Sequence, residues 1–213
     1  MRGDYGRQTV TGIIELTPVP VLHITQGNDR LQAGHTLMLT SGGKNGAQKR
    51  AAPLAGQLAT VSGVLVERGD LHMLQLRGGR NGLQAAPSPE TATGTMTNTT
   101  STTVPTPEPL GRWKLAGEIC DGKCLAGAMR PGRGLAHKAC ANLCLDGGIP
   151  PVFVSTQPVE GQEFLLIVGP DGSAMPPRAY DHIGQYITLE ADIARHGDLL
   201  VMAIDPTTLK GAN

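Results

Sequence analysis

The chain has 213 residues and a formal net charge of zero, since 18 Lys and Arg balance 18 Asp and Glu. Proteins that bind phosphate backbones or anionic lipid normally carry an excess of basic charge, so this balance argues against nucleic-acid and membrane-surface binding. Aromatic residues are few, with one Trp, three Tyr and two Phe, which leaves little material for stacking bases. A chain of this length can bury a core as one large or two small domains, and that core must be mainly aliphatic.

The sequence contains no apolar run that approaches the roughly 20 residues of a membrane helix, and its first residues lack the apolar region of a signal peptide. We therefore expect no membrane contact from the chain as written. We expect a periplasmic or cell-envelope location if an export signal or anchor is missing from this sequence, and a cytoplasmic location otherwise. The compartment matters because disulfides persist mainly in oxidising ones.

Residues 1–80 are predicted to form an N-terminal β domain. Short apolar segments begin near Thr9 and are separated by turn residues, and the last two are joined at Gly69 and Asp70. A Gly-containing turn between apolar segments is typical of a β-hairpin. Five short strands fit a small Greek-key barrel of the OB type, with a small sandwich as the alternative.

A linker is predicted at residues 81–109. The segment is rich in Thr, Pro and Ser and has no apolar periodicity, so it cannot bury enough apolar surface to offset the entropy of ordering. A second barrel-like domain is then expected at residues 110–213.

The two halves repeat each other at a constant spacing of 128 residues. Segment 36–76 aligns with segment 164–204 without a gap. The alignment superimposes the two predicted hairpin turns, Gly69 on Gly197 and Asp70 on Asp198. Self-similarity of this kind predicts that one structural unit occurs twice. The fold class is therefore mainly β, with two tandem OB-like barrels.

The second half carries an insertion after its first strand. Gly12 and Pro20 of the first half are 8 positions apart. The matching residues Gly117 and Pro151 are 34 apart, so the second half has 26 extra residues. We assign the inserted loop and helix to residues 120–148, which hold all the cysteines of the chain: Cys120, Cys124, Cys140 and Cys144. A fold that stands without such a segment in one copy serves as its scaffold in the other.

Residues 135–145 predict a helix, because good helix formers are followed by the breakers Gly147 and Gly148. His137, Cys140 and Cys144 occupy positions i, i+3 and i+7 of this helix, so the three potential ligands share one face. A turn at Asp121 and Gly122 is expected to bring two further thiols opposite that face. The predicted metal ligands are Cys120, Cys124, His137, Cys140 and Cys144.

Three interpretations of the cysteines remain open. A metal centre of four thiolates, or of three with the histidine, suits zinc, copper or iron. Two nested disulfides, such as Cys120 with Cys144 and Cys124 with Cys140, would pin the Gly-rich insertion in an oxidising compartment. The third interpretation is a set of redox-active thiols, or of inert thiols that pack like small apolar side chains.

Other potential ligands have ordinary explanations. Met129 is either a thioether donor for copper or a side chain that fills a gap in packing. The remaining histidines share no spacing and are interpreted as surface or strand residues: His23, His35, His72, His182 and His196.

Residues 117–152 contain the pattern C-x3-C, H-x2-C-x3-C and Gly-Gly-Ile-Pro-Pro. This pattern resembles a signature in a poorly characterised group of bacterial envelope-associated proteins, which accompany molybdenum or haem oxidoreductase systems. The resemblance covers the insertion closely and the flanking β segments loosely. Members of the group carry a membrane-anchoring N-terminus, from which the first residues of this sequence depart.

The combined prediction is an accessory protein with a metal-binding or thiol redox centre in a bacterial envelope redox or metal-handling system. We expect a protein partner, for which the first domain would serve as a docking module, and no catalytic activity, since common catalytic signatures such as a P-loop are missing from the sequence. The alternative is a disulfide-pinned structural or protein-interaction module without metal. Binding of single-stranded nucleic acid by OB-type barrels is a third hypothesis, which the neutral charge opposes.

Overall fold

The computed structural model describes residues 6–16, 18–87 and 103–211. The first half forms a closed five-stranded barrel with one short added strand. Two short helical segments, α1 (Gln48–Ala51) and a 3-10 turn at Ala52–Leu54, connect its third and fourth strands. The strands are β1 (Arg7–Glu15), β2 (Val21–Gln26), β3 (Thr36–Thr40), β4 (Leu58–Arg68), β5 (Leu71–Leu76) and β6 (Leu83–Ala85).

The second half repeats this arrangement with the insertion between its first two strands. The insertion contains a π-helix (Cys124–Ala128), a 3-10 turn (Leu135–His137) and helix α2 (Lys138–Asp146). A further 3-10 segment, Pro177–His182, precedes the fourth barrel strand. The strands are β7 (Glu108–Asp121), β8 (Pro151–Val159), β9 (Gln162–Val168), β10 (Tyr186–His196), β11 (Leu199–Ile204) and β12 (Lys210–Gly211).

Both barrels have the same topology. The first runs β1-β2-β3-β5-β4 and closes through pairing of β4 with β1, and the second runs β7-β8-β9-β11-β10 and closes through β10 with β7. Within each barrel one pair is parallel, β3 with β5 and β9 with β11, and the others are antiparallel. The fold is therefore mainly β with two tandem barrels, which confirms the predicted fold class.

The predicted linker at 81–109 contains strand β6 near its start and the first residues of β7 at its end. The central part of that prediction, residues 88–102, lies outside the described residues. Among the residues that the structure describes, every helix is too short or too polar to cross a membrane.

Strand β3 shows how the barrels are joined. All five of its residues are buried, because Leu37 and Leu39 face the core of the first barrel while Met38 faces the second barrel. Strand β9 is the counterpart, with Leu165 directed to its own barrel core and Leu166 to the shared cluster. The two barrels therefore bury one apolar sheet face against each other. This burial is the main favourable term in their association.

A reciprocal pair of hydrogen bonds flanks the apolar interface. The Thr36 N–H donates to Asp198 Oδ1 at 2.7 Å, and the Phe164 N–H donates to Asp70 Oδ2 at 3.3 Å. Donors and acceptors are related by the same offset of 128 residues that defines the sequence repeat. The interface thus has approximate two-fold symmetry, like an isologous dimer interface within one chain.

The hairpin turns reach the neighbouring barrel because they contain glycine. Gly69 and Gly197 have φ values of 57° and 67°, a left-handed conformation that glycine adopts without a steric penalty. A Cβ atom on Gly197 would also lie only 2.4 Å from Thr36 Oγ1. Glycine at this turn therefore brings Asp198 within hydrogen-bonding distance of the other barrel.

Replacing Asp198 with alanine is expected to lower the free energy of unfolding by about 1–2 kcal/mol, because the buried Thr36 amide loses its acceptor. Thermal unfolding followed by circular dichroism measures the change. Asp29→Ala is the matched control, since Asp29 is exposed. Equal melting temperatures for the two variants would contradict the role of this contact.

Candidate metal centre

The insertion positions its cysteines through the end of β7 and through helix α2. After β7 the chain turns at Gly122, whose N–H donates to Pro150 O at 2.9 Å, and enters the π-helix that begins at Cys124. Helix α2 is fixed because Ala141 and Leu145 pack into the core of the second barrel. The prediction of a helix at 135–145 corresponds to the 3-10 turn Leu135–His137 followed by α2, which ends one residue later, before Gly147.

Three of the four cysteines form a cluster. The sulfur atoms of Cys124, Cys140 and Cys144 all lie within 4.8 Å of one another, and the Cys124 and Cys144 Sγ atoms are 3.9 Å apart. Cys124 and Cys144 are buried, whereas Cys140 is partly exposed. We call these three residues the cysteine trio. Three soft donors at this spacing can bind one metal ion.

Cys120 lies apart from the trio. Its thiol donates to Glu118 Oε1 at 3.1 Å, and the side chain belongs to the apolar cluster between the barrels. All four cysteines are free thiols, so neither predicted disulfide, Cys120 with Cys144 or Cys124 with Cys140, is formed.

The predicted ligand His137 is held by Asp121, the buried last residue of β7. His137 Nε2 lies 2.9 Å from Asp121 Oδ2, and Asp121 Oδ1 accepts a hydrogen bond from the Cys124 N–H at 2.8 Å. Asp121, Cys124 and His137 form a second group whose potential ligand atoms lie within 4.8 Å of one another. Of the five predicted ligands, three form the trio and His137 lies in the buried group, which shares Cys124 with the trio. Cys120 belongs to neither group.

Lys44 of the first barrel contributes a cation that the sequence did not reveal. Its Nζ atom lies 2.7 Å from Cys140 Sγ and 3.8 Å from Cys144 Sγ. Lys44 precedes Cys140 by 96 residues, and only the tertiary arrangement of the barrels brings the two together. The first domain, predicted to be a docking module, therefore also supplies part of this site.

Close backbone contacts hold the Lys44 loop against the insertion. The Gly46 N–H donates to Gly147 O at 2.8 Å, and a Cβ atom on Gly46 would lie 2.1 Å from Gly148 O. In return, the buried Lys123 donates from Nζ to the carbonyl oxygens of Ser41 and Gly43, both at 2.7 Å. A lysine from each barrel thus reaches into the other, and burial lowers the pKa of Lys123.

Burial keeps the Cys124 and Cys144 thiols protonated when no metal neutralises them, because it raises their pKa values. Burial, followed by the Asp121 carboxylate, raises the pKa of Cys144 to about 11, although the Lys44 ammonium acts in the opposite direction. Burial, followed by the Asp121 charge, also raises the pKa of Cys124. The hydrogen bond to Cys140 raises the pKa of Lys44. A bound cation would remove protons from this site, because thiolates are the ligating form.

A cavity of about 350 Å³ adjoins the trio and is lined in part by Lys44, Cys124 and Cys144. Met129 also lines this cavity. The Met129 Sδ atom lies 3.4 Å from Cys140 Sγ, and the Met129 side chain is 44% exposed. A small ligand can therefore approach the sulfur cluster from one side.

No family model, curated protein or solved structure matches the chain. The resemblance of residues 117–152 to an envelope-associated family stays a prediction.

Replacing Lys44 with methionine is expected to slow alkylation of Cys140 by iodoacetamide about tenfold at neutral pH, because the ammonium group stabilises the reactive thiolate. Mass spectrometry of timed, quenched samples gives the rate at each cysteine. Lys49→Met, at an exposed position of α1, is the control. An unchanged Cys140 rate in Lys44→Met would show that the contact does not activate the thiol.

Proposed function

We propose that this protein binds a thiophilic metal ion through Cys124, Cys140 and Cys144 and serves in metal handling. The observation that carries the proposal is the convergence of three thiol sulfurs within 4.8 Å of one another, with the Lys44 ammonium 2.7 Å from one of them. Thiolates are the preferred ligands of zinc and copper(I), and clusters of them are typical of sites for these metals.

Charge favours Zn²⁺ as the ion. Three thiolates carry three negative charges, of which Zn²⁺ neutralises two and the Lys44 ammonium the third. Cu⁺ would leave one negative charge in a largely buried site, which is costly in a low-dielectric environment. Copper(I) is the second candidate, because the Met129 thioether is the softer fourth donor that this ion prefers.

The open side of the trio supports exchange of the ion rather than a purely structural role. Structural zinc sites are closed by four protein ligands, whereas sites with three protein ligands keep a position for an outside ligand. In this protein Cys140 is partly exposed. Its sulfur contacts Met129, which lines the cavity beside the trio.

We further propose that a protein partner delivers or receives the metal at the insertion, in the envelope redox or metal-handling setting that the sequence resemblance implies. Three large apolar side chains of the insertion are exposed: Met129, Leu135 and Leu143. Exposed apolar residues concentrated on one functional segment are typical of protein contact surfaces.

A thiol redox centre is the second candidate function, favoured by the 3.9 Å separation of the Cys124 and Cys144 sulfurs. Loss of two electrons and two protons to an external disulfide would join them, and that disulfide would be reduced to two thiols. A free-thiol count after treatment with oxidised glutathione distinguishes the two functions. A bound metal protects the trio, whereas a redox pair loses two thiols.

Serine substitution at Cys140 or Cys144 is expected to weaken metal binding at least about 100-fold, since loss of even an outer-shell partner costs about 10–100-fold. Titration with Co²⁺ measures this through the thiolate-to-metal charge-transfer absorption. Cys120→Ser is the matched control and is expected to keep the full absorption. Loss of the band in Cys120→Ser would instead support the larger ligand set predicted from the sequence, and retention of the band in Cys140→Ser and Cys144→Ser would overturn the proposal.

Metal affinity is expected to rise with pH. Because the raised pKa values of Cys124 and Cys144 keep both thiols protonated in the free protein, each loses a proton on binding. Affinity should then rise about tenfold per pH unit for each proton released, across the range from about pH 6 to pH 8. Calorimetric titration with Zn²⁺ in two buffers of different ionisation enthalpy counts the protons. A pH-independent affinity for the cysteine site would exclude these thiols as ligands.

A further inference from the structure

A third group of potential metal ligands lies between the two barrels, and its residues come from outside the cysteine insertion. Glu15 at the end of β1 and His23 in β2 come from the first barrel, and His196 at the end of β10 comes from the second. One potential ligand atom from each lies within 4.8 Å of the others. Sequence patterns do not predict this group, because His23 and His196 are far apart in the chain and have no shared spacing.

The ligand atoms converge on one point. His23 Nε2 is 2.7 Å and His196 Nε2 is 3.4 Å from the same carboxylate oxygen, Glu15 Oε2. The two imidazole rings are tilted by 35° with their centroids 4.9 Å apart. Two imidazole nitrogens and one carboxylate oxygen are a common protein ligand set for Zn²⁺, which then keeps a fourth position for water or substrate.

The far side of His23 is fixed by the neighbouring strand. His23 Nδ1 lies 3.3 Å from Thr36 Oγ1, and the Thr36 backbone is itself tied to Asp198 of the other barrel. A metal-binding histidine normally uses its second ring nitrogen for such an outer hydrogen bond, which orients the ring toward the ion. Because Nδ1 contacts Thr36, Nε2 of His23 is the ring nitrogen that faces Glu15.

His196 has an unused polar atom inside the cluster. Its Nε2 is buried and, although it lies 3.4 Å from Glu15 Oε2, it makes no hydrogen bond within the part of the chain that the structure describes. An unsatisfied buried nitrogen normally costs free energy, so its position beside Glu15 and His23 indicates a missing partner. A cation would satisfy it, since neutral imidazole donates a lone pair to metals.

The approximate symmetry of the interface provides an internal comparison. By the sequence repeat, the position of His196 corresponds to Arg68 and that of His23 to Val154. The register of β7 with β8 places Cys120 opposite Val152, as Glu15 lies opposite Val21. The counterpart positions thus offer neither of the two imidazoles, and the His-Glu group is a special feature of one side of the interface.

A cavity of about 210 Å³ opens next to the group and includes Glu15, His23 and His196 in its lining. Apolar side chains of the second barrel, among them Leu166 and Leu199, form part of its wall. The space is sufficient for an ion with a bound water or a small anionic ligand.

We propose that Glu15, His23 and His196 form a second metal site, which binds a divalent cation of the Zn²⁺ type between the two barrels and leaves one coordination position facing this cavity. The site draws its donors from both barrels, so occupancy links them. Its nitrogen and oxygen donors set it apart from the sulfur-based trio, and the two sites are separable by spectroscopy.

Native mass spectrometry of the full chain after addition of Zn²⁺ tests the proposal by counting bound ions. We expect a second equivalent in the unmodified protein and its loss in His23→Gln and in His196→Gln. Glu15→Gln preserves the shape and a hydrogen bond to His23 but removes the charge, and it should weaken the second site at least about tenfold. His72→Gln, in the separate His35 and His72 pair of the first barrel, is the control and should keep both equivalents.

Binding of as many Zn²⁺ ions by both histidine variants as by the unmodified protein would overturn the proposal. If a variant does not fold, side-chain NMR of the unmodified protein decides the matter, because Zn²⁺ must shift the Nε2 resonances of His23 and His196 together. Unshifted resonances would identify the group as a structural Glu-His contact only. Failure of the cysteine site is recognised separately, by loss of the thiolate-to-Co²⁺ absorption.

Discussion

Burial of one apolar sheet face from each barrel against the other is the constraint on which the rest of the structure depends. Strands β3 and β9 are buried on both sides because of it. The two proposed metal sites also lie where the barrels meet. Lys44 reaches the cysteine trio, and His196 reaches Glu15 and His23, only because this interface fixes the relative position of the two barrels. The cysteine trio takes only its neighbouring ammonium group from the first barrel, whereas the group of Glu15, His23 and His196 takes potential ligands from both barrels.

The chemistry of the cysteine trio follows from its partial burial. Removal from water disfavours the thiolates, and the nearby Asp121 carboxylate adds to this effect, whereas the Lys44 ammonium opposes it. Cys124 and Cys144 therefore stay protonated unless a cation supplies compensating positive charge. Such a balance favours ions that bind thiolates strongly enough to displace protons, and it disfavours hard ions such as Mg²⁺, which prefer oxygen ligands.

The repeat at an offset of 128 residues was sufficient to predict the architecture, because each copy shows the apolar segments and Gly-Asp turns of the same barrel. The same comparison isolated the insertion and its helix. The roles of Lys44, Asp121 and His196 could not be predicted in this way. Lys44 and His196 act across the interface, far in sequence from the groups they contact, and a single Asp after a strand looks like an ordinary turn residue. His23, interpreted as a surface or strand residue, does lie in strand β2, but its 5% exposure at the interface was not expected.

The reciprocal contacts from Thr36 to Asp198 and from Phe164 to Asp70 have the geometry of a two-fold homodimer, yet they occur within one polypeptide. In a homodimer every substitution occurs twice, so a change that suits one end of the interface is imposed on the other. A fused chain is free of that restriction. One end can carry a bulky thiol-bearing insertion while the other carries two imidazoles and a carboxylate, and a single polypeptide can thereby keep two chemically different ligand sets apart on one approximately symmetric framework.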